Sequence, residues 1–432
     1  MKEIKIALLG SGTVGSGVLE VLKCNAEDIA RRSGARILVE KVLIRDANKA
    51  RPHLSAYKTT TDIEDILKDD SISIVVELMG GVTPAKDYML RALKAGKHVV
   101  TANKDVIAAH GEELFAAAKE NHADILFEAS VGGGIPIITP LKTSLAGNKI
   151  TEIMGIVNGT TNYMLTKMTE DGSSYDEVLK EAQEKGYAEA NPTADVDGLD
   201  AARKVMILSS IAFNTKIDFD DVPVEGIRHI TPKDIAYAKE LGYVIKLLAI
   251  GRDLGEQGLD IRVHPVFLPK AHPLASVNDV FNAIFVRGNA IGEAMFYGRG
   301  AGSLPTASSV VADIVEVARD ICADVFGRHT RIRTEAKKLC PLAETKSSYY
   351  VRLLVSDQPG VLGAIATAFG EQGVSLKSVI QTRREKDRAE IVAVTHCVRH
   401  AKLQAAAGVL QSLPVVTEIR SMIRVENEQG GD

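Results

Sequence analysis

Short apolar runs alternate with amphipathic helical patterns along the first 135 residues. Strands are predicted from the runs at 4–9, 37–44, 72–78, 98–102 and 125–129. Helical patterns fill much of the space between them, notably at 17–22, 84–95 and 110–121. Short turns separate these segments, as in βα units that build a parallel sheet. The first 135 residues are therefore predicted to form a Rossmann-like, doubly wound α/β dinucleotide-binding domain.

Strand and helix patterns are mixed in the middle of the chain. Strands are predicted at 150–157, 244–252 and 261–268, and helices at 174–185, 201–213 and 232–241. We predict a mixed α+β domain for catalysis and dimerisation over residues 136–305. A further helix at 306–326 is expected to pack back onto the first domain, which about 306–330 would then complete.

The last hundred residues form a separate pattern. Residues 331–347 are charged and contain Pro341, which is typical of a linker. Beyond them the predicted order is strand 349–356, helix 361–372, strands 374–381 and 388–398, helix 401–413 and strand 415–425. This β-α-β-β-α-β order predicts a ferredoxin-like domain over 348–426. Residues 383–386 fit a solvated tip around the turn at 384–387, and 426–432 a disordered tail.

Composition narrows the class of protein. The 432 residues are 45% hydrophobic and 25% charged, and the net charge of −4 gives no basic footprint for nucleic acid. Neither a signal peptide nor a membrane-spanning apolar run is present, so no membrane partner is expected. The four cysteines lie far apart, which favours reduced structural thiols in a cytoplasmic protein.

A glycine-rich turn carries the first functional signal. Gly10, Gly12 and Gly15 form a GxGxxG motif between a predicted strand and a predicted helix. Such glycines let the backbone approach a pyrophosphate, which then lies at the helix N-terminus. The alternative is a glycine-rich turn without a ligand. Arg45, after the second strand, favours NADP(H), whereas Asp46 leaves NAD(H) open.

The segment 186–204 carries the second signal. Asp200 and Lys204 lie four residues apart on a predicted helix and so share a face, with Glu189 on the preceding loop. Such carboxylates and a lysine suit a small amino-acid substrate that exchanges a proton. The alternative is a solvated loop and a surface ion pair. Lys104 follows a strand at the ligand-binding edge of the sheet, or is a solvated loop cation.

Taken in order, several segments resemble homoserine dehydrogenase. The similar segments are 9–15, 76–81, 96–104, 127–137, 157–165, 186–204 and 298–306. The resemblance implies reversible, NAD(P)-dependent reduction of L-aspartate 4-semialdehyde to L-homoserine, in threonine, methionine and isoleucine biosynthesis. No kinase-like segment precedes residue 1, so fusion to an aspartokinase is not expected.

Residue roles follow from the resemblance alone. It makes Lys204 the proton donor beside Asp200, Glu189 the residue that holds the substrate amino group, and Lys104 a second active-site lysine. It assigns a structural monovalent cation, sodium in the family, to the carbonyl groups of Glu128, Val131, Gly133 and Ile135. Cofactor contacts are implied for Gly12, Thr13, Val14, Arg45, Gly186 and Gly302. Asn191 departs from the aspartate common in the family, which we expect to be tolerated.

The C-terminal domain resembles an ACT domain. The resemblance rests on the turn 357–362, Asp-Gln-Pro-Gly-Val-Leu, and the helix that follows it. It implies regulation by an amino acid, with threonine as the expected effector, in a homodimer or homotetramer. The alternative is a purely structural dimerisation domain.

Two other functions compete with this interpretation. A non-catalytic amino-acid sensor would be expected to have lost the glycine loop or the lysines, and both are present. An aspartate semialdehyde dehydrogenase needs a cysteine nucleophile on a reactive turn. None of the four cysteines has such a sequence context.

Overall fold

The computed structural model describes residues 1–329, 335–385 and 388–426, with the side chains of 382–385 left aside. The expectations for the hairpin tip at 386–387, for residues 330–334 and for the tail at 427–432 lie outside the described residues. Among the described helices, none is long and apolar enough to cross a membrane.

Strands and helices both occur throughout the described chain. The strands are β1 Lys2–Leu9, β2 Ala35–Leu43, β3 Thr59–Thr60, β4 Ile72–Glu77, β5 His98–Thr101, β6 Ile125–Leu126, β7 Ile150–Ile156, β8 Tyr243–Asp253, β9 Leu259–Pro269, β10 Phe281–Gly288, β11 Gly292–Arg299, β12 Lys346–Ser356, β13 Leu376–Glu385, β14 Arg388–Thr395, β15 Val398–Arg399 and β16 Val416–Val425. The helices are α1 Thr13–Cys24, α2 Ala26–Ser33, α3 Glu64–Leu67, α4 Ala85–Lys94, α5 Lys104–Glu120, α6 Gly159–Asp171, α7 Tyr175–Glu184, α8 Thr193–Val196, α9 Leu199–Ala212, α10 Pro232–Glu240, α11 Ser303–Ala323, α12 Val361–Glu371 and α13 His400–Ser412.

The first of two compact units contains a parallel sheet. It comprises Met1–Ile150, Arg203–Phe219 and Phe281–Ala336. Its strands run in the order β3-β2-β1-β4-β5-β6, and every neighbouring pair is parallel. Strand order reverses beside β1, which creates the crevice where such folds bind dinucleotides. The predicted doubly wound α/β fold is confirmed.

Helix α11 supplies part of the core of this first unit. Its apolar face, including Val310, Ile314 and Val317, is fully buried in one cluster with Ile6 and Leu8 of β1. Burial of such a face is the main source of stability for a surface helix. The late helix therefore covers the sheet formed by the first 130 residues.

Two local expectations for the first unit were wrong or incomplete. The predicted strand at 125–129 ends at Leu126, because Glu128–Ser130 form a helical turn. The antiparallel hairpin of β10 and β11 was not predicted. Its second strand is partly exposed along its whole length and contains glycines at positions 292 and 298, which weakens the strand pattern.

The second unit is built on a mixed sheet. It comprises Thr151–Ala202, Asp220–Val280 and Lys337–Asp432. Within it the strand order is β7-β8-β9-β16-β12-β14-β13. The pairs β7–β8 and β8–β9 are antiparallel, whereas β16 joins β9 in parallel through Arg424 opposite Val266 and Val425 opposite Phe267. The last strand of the chain thus joins two sheets into one.

The C-terminal part of this unit has the predicted ferredoxin-like order. Its antiparallel strands run β16-β12-β14-β13, and helices α12 and α13 pack on one face. The core includes the fully buried Leu353, Ile365, Phe369 and Leu403. The fold prediction for the C-terminal domain is confirmed.

A buried polar cluster also fixes the ferredoxin-like domain to helix α10. The Arg352 guanidinium donates to Asp234 (Nε to Oδ1, 2.9 Å) and to Glu390 (Nη1 to Oε2, 3.1 Å). The Tyr237 hydroxyl donates to Glu390 at 2.7 Å, and that of Tyr350 to Asp234 at 3.1 Å. Removing one partner from a buried charged cluster is costly, so this junction is rigid.

Candidate active site

The glycine loop is shaped by close backbone approaches. Gly10 has a φ of +101°, which favours glycine, and a side chain there would press on the Leu78 carbonyl. A Cβ on Gly15 would lie 2.5 Å from the Gly10 carbonyl oxygen. By contrast, a Cβ on Gly12 would meet nothing within 4 Å. Gly12 therefore faces open space at the start of α1, where a ligand could approach its backbone.

The N-terminus of α1 carries no competing acid. Gly12 is its N-cap, no side chain caps it, and its first turn contains no Asp or Glu. Uncapped N–H groups and the helix dipole form an anion site. Gly302 caps α11 in the same way, and the next residue, Ser303, donates its hydroxyl to the Thr13 carbonyl at 2.7 Å. Gly302 thus lies close to the glycine loop.

The end of β2 presents one arginine and one engaged aspartate. Arg45 is exposed just beyond the strand. The Asp46 carboxylate accepts a hydrogen bond from the backbone of Asn48 at 2.8 Å, and Arg51 donates to the carbonyl groups of Asp46 and Lys49. The Asp46 carboxylate and the Arg51 guanidinium therefore shape their own turn, while Arg45 is exposed at the carboxyl end of β2.

A buried network that the sequence did not reveal positions Lys104. Glu77, fully buried at the end of β4, accepts from the backbone of Met79 and Gly80 and from the Thr101 hydroxyl at 2.6 Å. Thr101 in turn accepts from the backbone of Asn103, whose side chain caps α5. Lys104 is the first residue of that helix. In the sequence, this network was marked only by an acidic residue, Glu77, at the end of an apolar strand.

An ion pair connects the helices that carry the two lysines. Arg203 of α9 contacts Asp105 of α5, with 3.2 Å between Nε and Oδ1. Arg203 is adjacent in sequence to Lys204, and Asp105 is adjacent to Lys104. Lys204 itself is half-buried in the second turn of α9. The pair therefore brings the residues next to both lysines into contact within one unit.

Asn158 organises the carboxylates of the second unit. Its side-chain amide donates to Asp195 Oδ1 at 2.7 Å and to Asp200 Oδ2 at 2.9 Å. Its oxygen accepts from the backbone of Thr161 and thereby caps α6. Asp200 is 8% exposed, so its charge is partly desolvated and held in one orientation. Sequence reasoning noted the segment around Asn158 but gave Asn158 no role.

The loop before α9 places Glu189 at the surface. Gln183 donates to the carbonyl groups of Glu189 and Ala190, at 3.1 and 3.4 Å, which leaves the Glu189 carboxylate exposed. Gly186 ends α7 with a φ of +73°. Asn191 accepts a backbone hydrogen bond from Thr193 at 3.3 Å. An uncharged side chain at position 191 is sufficient for this turn.

Residues 128–135, the segment expected to bind a cation, are mostly buried and are held by side-chain hydrogen bonds to the backbone. The Glu128 carboxylate accepts from the backbone N–H groups of Ile137, Ile138 and Thr139, at 2.6 to 2.8 Å. The carboxylate is thus engaged, and the Glu128 carbonyl group itself accepts from the Val131 backbone N–H at 3.4 Å, which leaves it one lone pair. The Gly133 carbonyl accepts from the Ser309 hydroxyl at 2.7 Å, which leaves it one lone pair. Carbonyl oxygens of this kind suit a hard cation such as sodium.

The cysteines do not provide an activated nucleophile. Cys24, Cys322 and Cys397 are exposed free thiols, and Cys340 is partly buried. Burial raises the pKa of the Cys340 thiol, which is the opposite of what nucleophilic catalysis needs. The cysteine-dependent alternative therefore has no support among these residues.

Family models divide the chain into three matched segments. Residues 10–128 match the model "Homoserine dehydrogenase, NAD binding domain", and residues 136–315 match "Homoserine dehydrogenase". Residues 349–415 match "ACT domain". The order of the three agrees with the order of the folds described above.

Individual relatives extend this similarity over almost the whole chain. A homoserine dehydrogenase of Synechocystis is 48% identical and covers 98% of this chain and 99% of its own length. The crystal structure of a homoserine dehydrogenase from Thiobacillus denitrificans is similar with a TM-score of 0.93, at 42% identity over 99% of both chains. A hyperthermophilic archaeal homoserine dehydrogenase in complex with NADPH is similar over 73% of this chain and 97% of its own, with a TM-score of 0.62 and 28% identity. The resemblance inferred from the sequence is confirmed, and the chain belongs to the homoserine dehydrogenase family of NAD(P)-dependent oxidoreductases.

Proposed function

We propose that this chain reduces L-aspartate 4-semialdehyde reversibly to L-homoserine, with Lys204 as the group that transfers the proton. The observation that carries the assignment is the organised carboxylate cluster around Asn158 at the start of the helix that bears Lys204. Bound NAD(P)H supplies the hydride to the aldehyde carbon. The chain must then supply a proton to the forming alkoxide, hold the amino acid and exclude water.

Each polar group has a separate task. The Lys204 ammonium protonates the alkoxide during reduction, and its neutral amine accepts the proton during oxidation. Asp200, held by Asn158, lies on the same helix as Lys204 and is assigned to orient it. Glu189 is exposed and binds the substrate ammonium group, and Lys104 provides a second positive charge at the sheet edge.

The pH profile of homoserine oxidation tests the proton transfer. Oxidation needs the neutral amine, so its rate should rise as the pH increases above neutral. A rate that stays flat between about pH 7 and 10 would exclude a lysine as the proton acceptor. If the rise persists in Lys204→Ala and disappears in Lys104→Ala, then Lys104 and not Lys204 transfers the proton.

The cofactor is assigned as NADP(H) in preference to NAD(H). Arg45 suits the 2′-phosphate, while the Asp46 carboxylate is engaged in its own turn. Gly10, Gly12, Thr13, Val14 and Gly15 form the cradle, with Gly302 beside it, and Gly186 and Lys104 complete the assignment. The NADPH complex of the archaeal relative supports this choice. The test is the ratio of kcat/KM for NADP to that for NAD, which Arg45→Ala should lower.

Carbonyl groups of Glu128, Val131, Gly133 and Ile135 are assigned to a structural sodium ion. The segment is buried, and its glycines pack too tightly for side chains, since a Cβ on Gly134 would lie 2.8 Å from Pro305. The ion would fix the loop rather than take part in the chemistry. Thermal unfolding in sodium chloride against an equal concentration of tetramethylammonium chloride tests it, since only sodium should raise Tm.

Threonine is proposed as the effector of the ACT domain, in a cytoplasmic homodimer or homotetramer. The exposed side chains of Met295 and Tyr297 on the edge strand β11 support self-association, because open apolar strand edges pair with further chains. Sedimentation analysis separates monomer, dimer and tetramer. The rate of homoserine oxidation against threonine concentration tests the regulation, and an unchanged rate would leave the domain as an assembly element.

A further inference from the structure

Two arginines of the second unit are buried with some of their N–H groups unpaired. Arg262 of β9 is 2% exposed, and Arg424 of β16 is 8% exposed. Within the described chain, Nε and Nη1 of Arg262 and Nε of Arg424 have no hydrogen-bond partner. The partners that Arg262 does have contact its Nη2, namely the Ser347 hydroxyl at 3.2 Å and the Asp260 carboxylate at 3.3 Å. A buried donor without an acceptor is costly, so these N–H groups indicate a missing partner.

The strand register places both arginines on one face of the sheet. Arg262 and Val266 share a face of β9, because side chains four residues apart in a strand point to the same side. Arg424 stands opposite Val266, so its side chain shares that face. On its other side Arg424 stands opposite Tyr349 of β12, and its guanidinium carbon lies 5.7 Å from the centre of the Tyr349 ring. Ser347, the partner of Arg262, lies on the same strand, so both arginines contact the start of β12.

The positive charge of Arg262 is only partly compensated. Burial lowers the pKa of its guanidinium below the usual range. Asp260 opposes this effect, whereas repulsion by Arg252 and Arg424 adds to it. The other nearby carboxylates are engaged with Arg252 and Arg424: Glu152, Glu426 and Glu225. The unpaired side of Arg262 therefore offers donors and positive charge together.

Helix α13 adds positive potential at the same place. Nδ1 of His400, the first residue of the helix, lies 3.0 Å from the Tyr349 hydroxyl. Burial and then the charges of Arg424 and Arg262 lower the pKa of His400, so both arginines act on this end of the helix. The first turn contains no acidic residue, and none of the described side chains caps it. The helix dipole is thus free to attract an anion.

A cleft of about 180 Å³ lies beside this cluster. Asp260, which contacts Arg262, and Thr345, whose carbonyl accepts from the His400 N–H at 2.8 Å, both line it. Its other lining residues belong to β9 and to positions 221, 223 and 339–342 of the same unit. The volume is below that of pockets for organic ligands and suits a small ion with a few waters.

We propose that Arg262 and Arg424 bind a small monovalent anion, chloride, through Arg262 Nε and Nη1 and Arg424 Nε. Hydrogen bonds from charged donors to an anion are the stronger ones, and they satisfy the buried N–H groups. The ion connects β9 with β16 of the ferredoxin-like domain and lies at the N-terminus of α13. Its role is structural, and its ligands are distinct from the residues assigned to homoserine, so the site does not depend on the proposed function.

Thermal unfolding of the full-length protein at constant sodium tests the site. Sodium chloride should raise Tm by about 3 °C over an equal concentration of sodium gluconate, whose anion is too large to enter. Arg262→Met should abolish this difference, because it removes the donors and keeps an unbranched side chain. Arg420→Met is the matched control and should keep the difference, because Arg420 of β16 is 44% exposed and pairs with Glu418 at 2.7 Å.

Bromide soaked into crystals of the wild-type protein provides a measurement that no variant has to survive. Its anomalous scattering should give a peak in contact with Arg262 Nε and Arg424 Nε. Ordered water alone at this position would overturn the proposal, because water can also satisfy buried donors. An equal wild-type Tm in the two salts, or a chloride effect that persists in Arg262→Met, would overturn it as well. If Arg262→Met does not fold, the bromide peak decides.

Discussion

The glycine loop at 10–15 and the carboxylate cluster around Asn158 are built in opposite ways. The loop is shaped through its backbone, since glycines bring carbonyl and N–H groups together within six residues. The carboxylate cluster is held by side chains, since Asn158 connects Asp195 and Asp200 across 37 and 42 residues of chain. A backbone site is sensitive to added volume, and a side-chain site to lost charge or lost donors. Substitutions should therefore separate the two.

The largest expected effect is on proton transfer. Lys204→Ala should lower kcat by about 10³-fold, because it removes the acid and base of the chemical step. Affinity for NADPH, measured by fluorescence titration, should change less than about twofold. Lys216→Ala, an exposed lysine in the same unit, is the control and should keep full activity. Normal turnover in Lys204→Ala would contradict this prediction and would assign proton transfer to Lys104.

Added volume in the glycine loop should affect only the cofactor. Gly12→Ala places its methyl group in open space, so the apoprotein should fold normally. The methyl group should obstruct the pyrophosphate and weaken NADPH binding by about 30-fold. Gly147→Ala, also in open space but away from the loop, is the matched control. Equal NADPH affinity in the two variants would show that the cofactor does not approach Gly12.

Removing the Asn158 amide from the carboxylate cluster should affect homoserine binding and leave cofactor binding unchanged. Asn158→Ala leaves Asp195 and Asp200 without their common partner and should raise KM for homoserine by about tenfold. NADPH affinity should remain at the wild-type value. Asn121→Ala, at the end of α5, removes a side-chain hydrogen bond to Ala117 and provides the control. A parallel loss of NADPH affinity would mean that the two sites are not independent.

The smallest expected effect is on the stability of the second unit. Lys246 is buried beside Asn162 of α6, and desolvation lowers the pKa of its ammonium group to about 8, below its usual 10.5. The unfolded chain therefore binds this proton more tightly, so the destabilisation is complete below pH 8 and disappears as the pH rises to 10.5. Between pH 8 and 9 the free energy of unfolding of wild type should rise relative to Lys246→Met by about 1 kcal/mol. Urea unfolding of both proteins at pH 8 and pH 9 measures this difference. An equal change in the free energy of unfolding of wild type and Lys246→Met would contradict the lowered pKa.

The same contrast explains how much the sequence could predict. The glycine loop at 10–15 was recognised because all its determinants are local, and the parallel, doubly wound class of the sheet followed from alternating patterns. Residues 186–204 were predicted to carry chemistry because Asp200 and Lys204 share a helix, and this stays a prediction. Asn158, which bonds Asp195 and Asp200, was given no role, since its hydrogen bonds depend on how distant segments pack.

Two further features were beyond sequence reasoning for the same reason. Glu77 occupies an apolar strand, and only the fold reveals that its carboxylate holds the turn before Lys104 through Thr101. The ion pair of Arg203 with Asp105 joins helices almost a hundred residues apart. Glu77 and Arg203 lie in segments that resemble the family, but their contacts with Thr101 and Asp105 are visible only in the structure.

The parallel pairing of β16 with β9 has a consequence for truncation. A chain cut before the ACT domain would lose β16 and expose the edge of β9 beside Phe267, whose carbonyl group now accepts from Glu426. An unprotected, apolar strand edge recruits other chains and promotes aggregation. The ferredoxin-like domain therefore also shields the edge of β9. Substitutions within this domain would separate its proposed regulation from this shielding, whereas its removal would not.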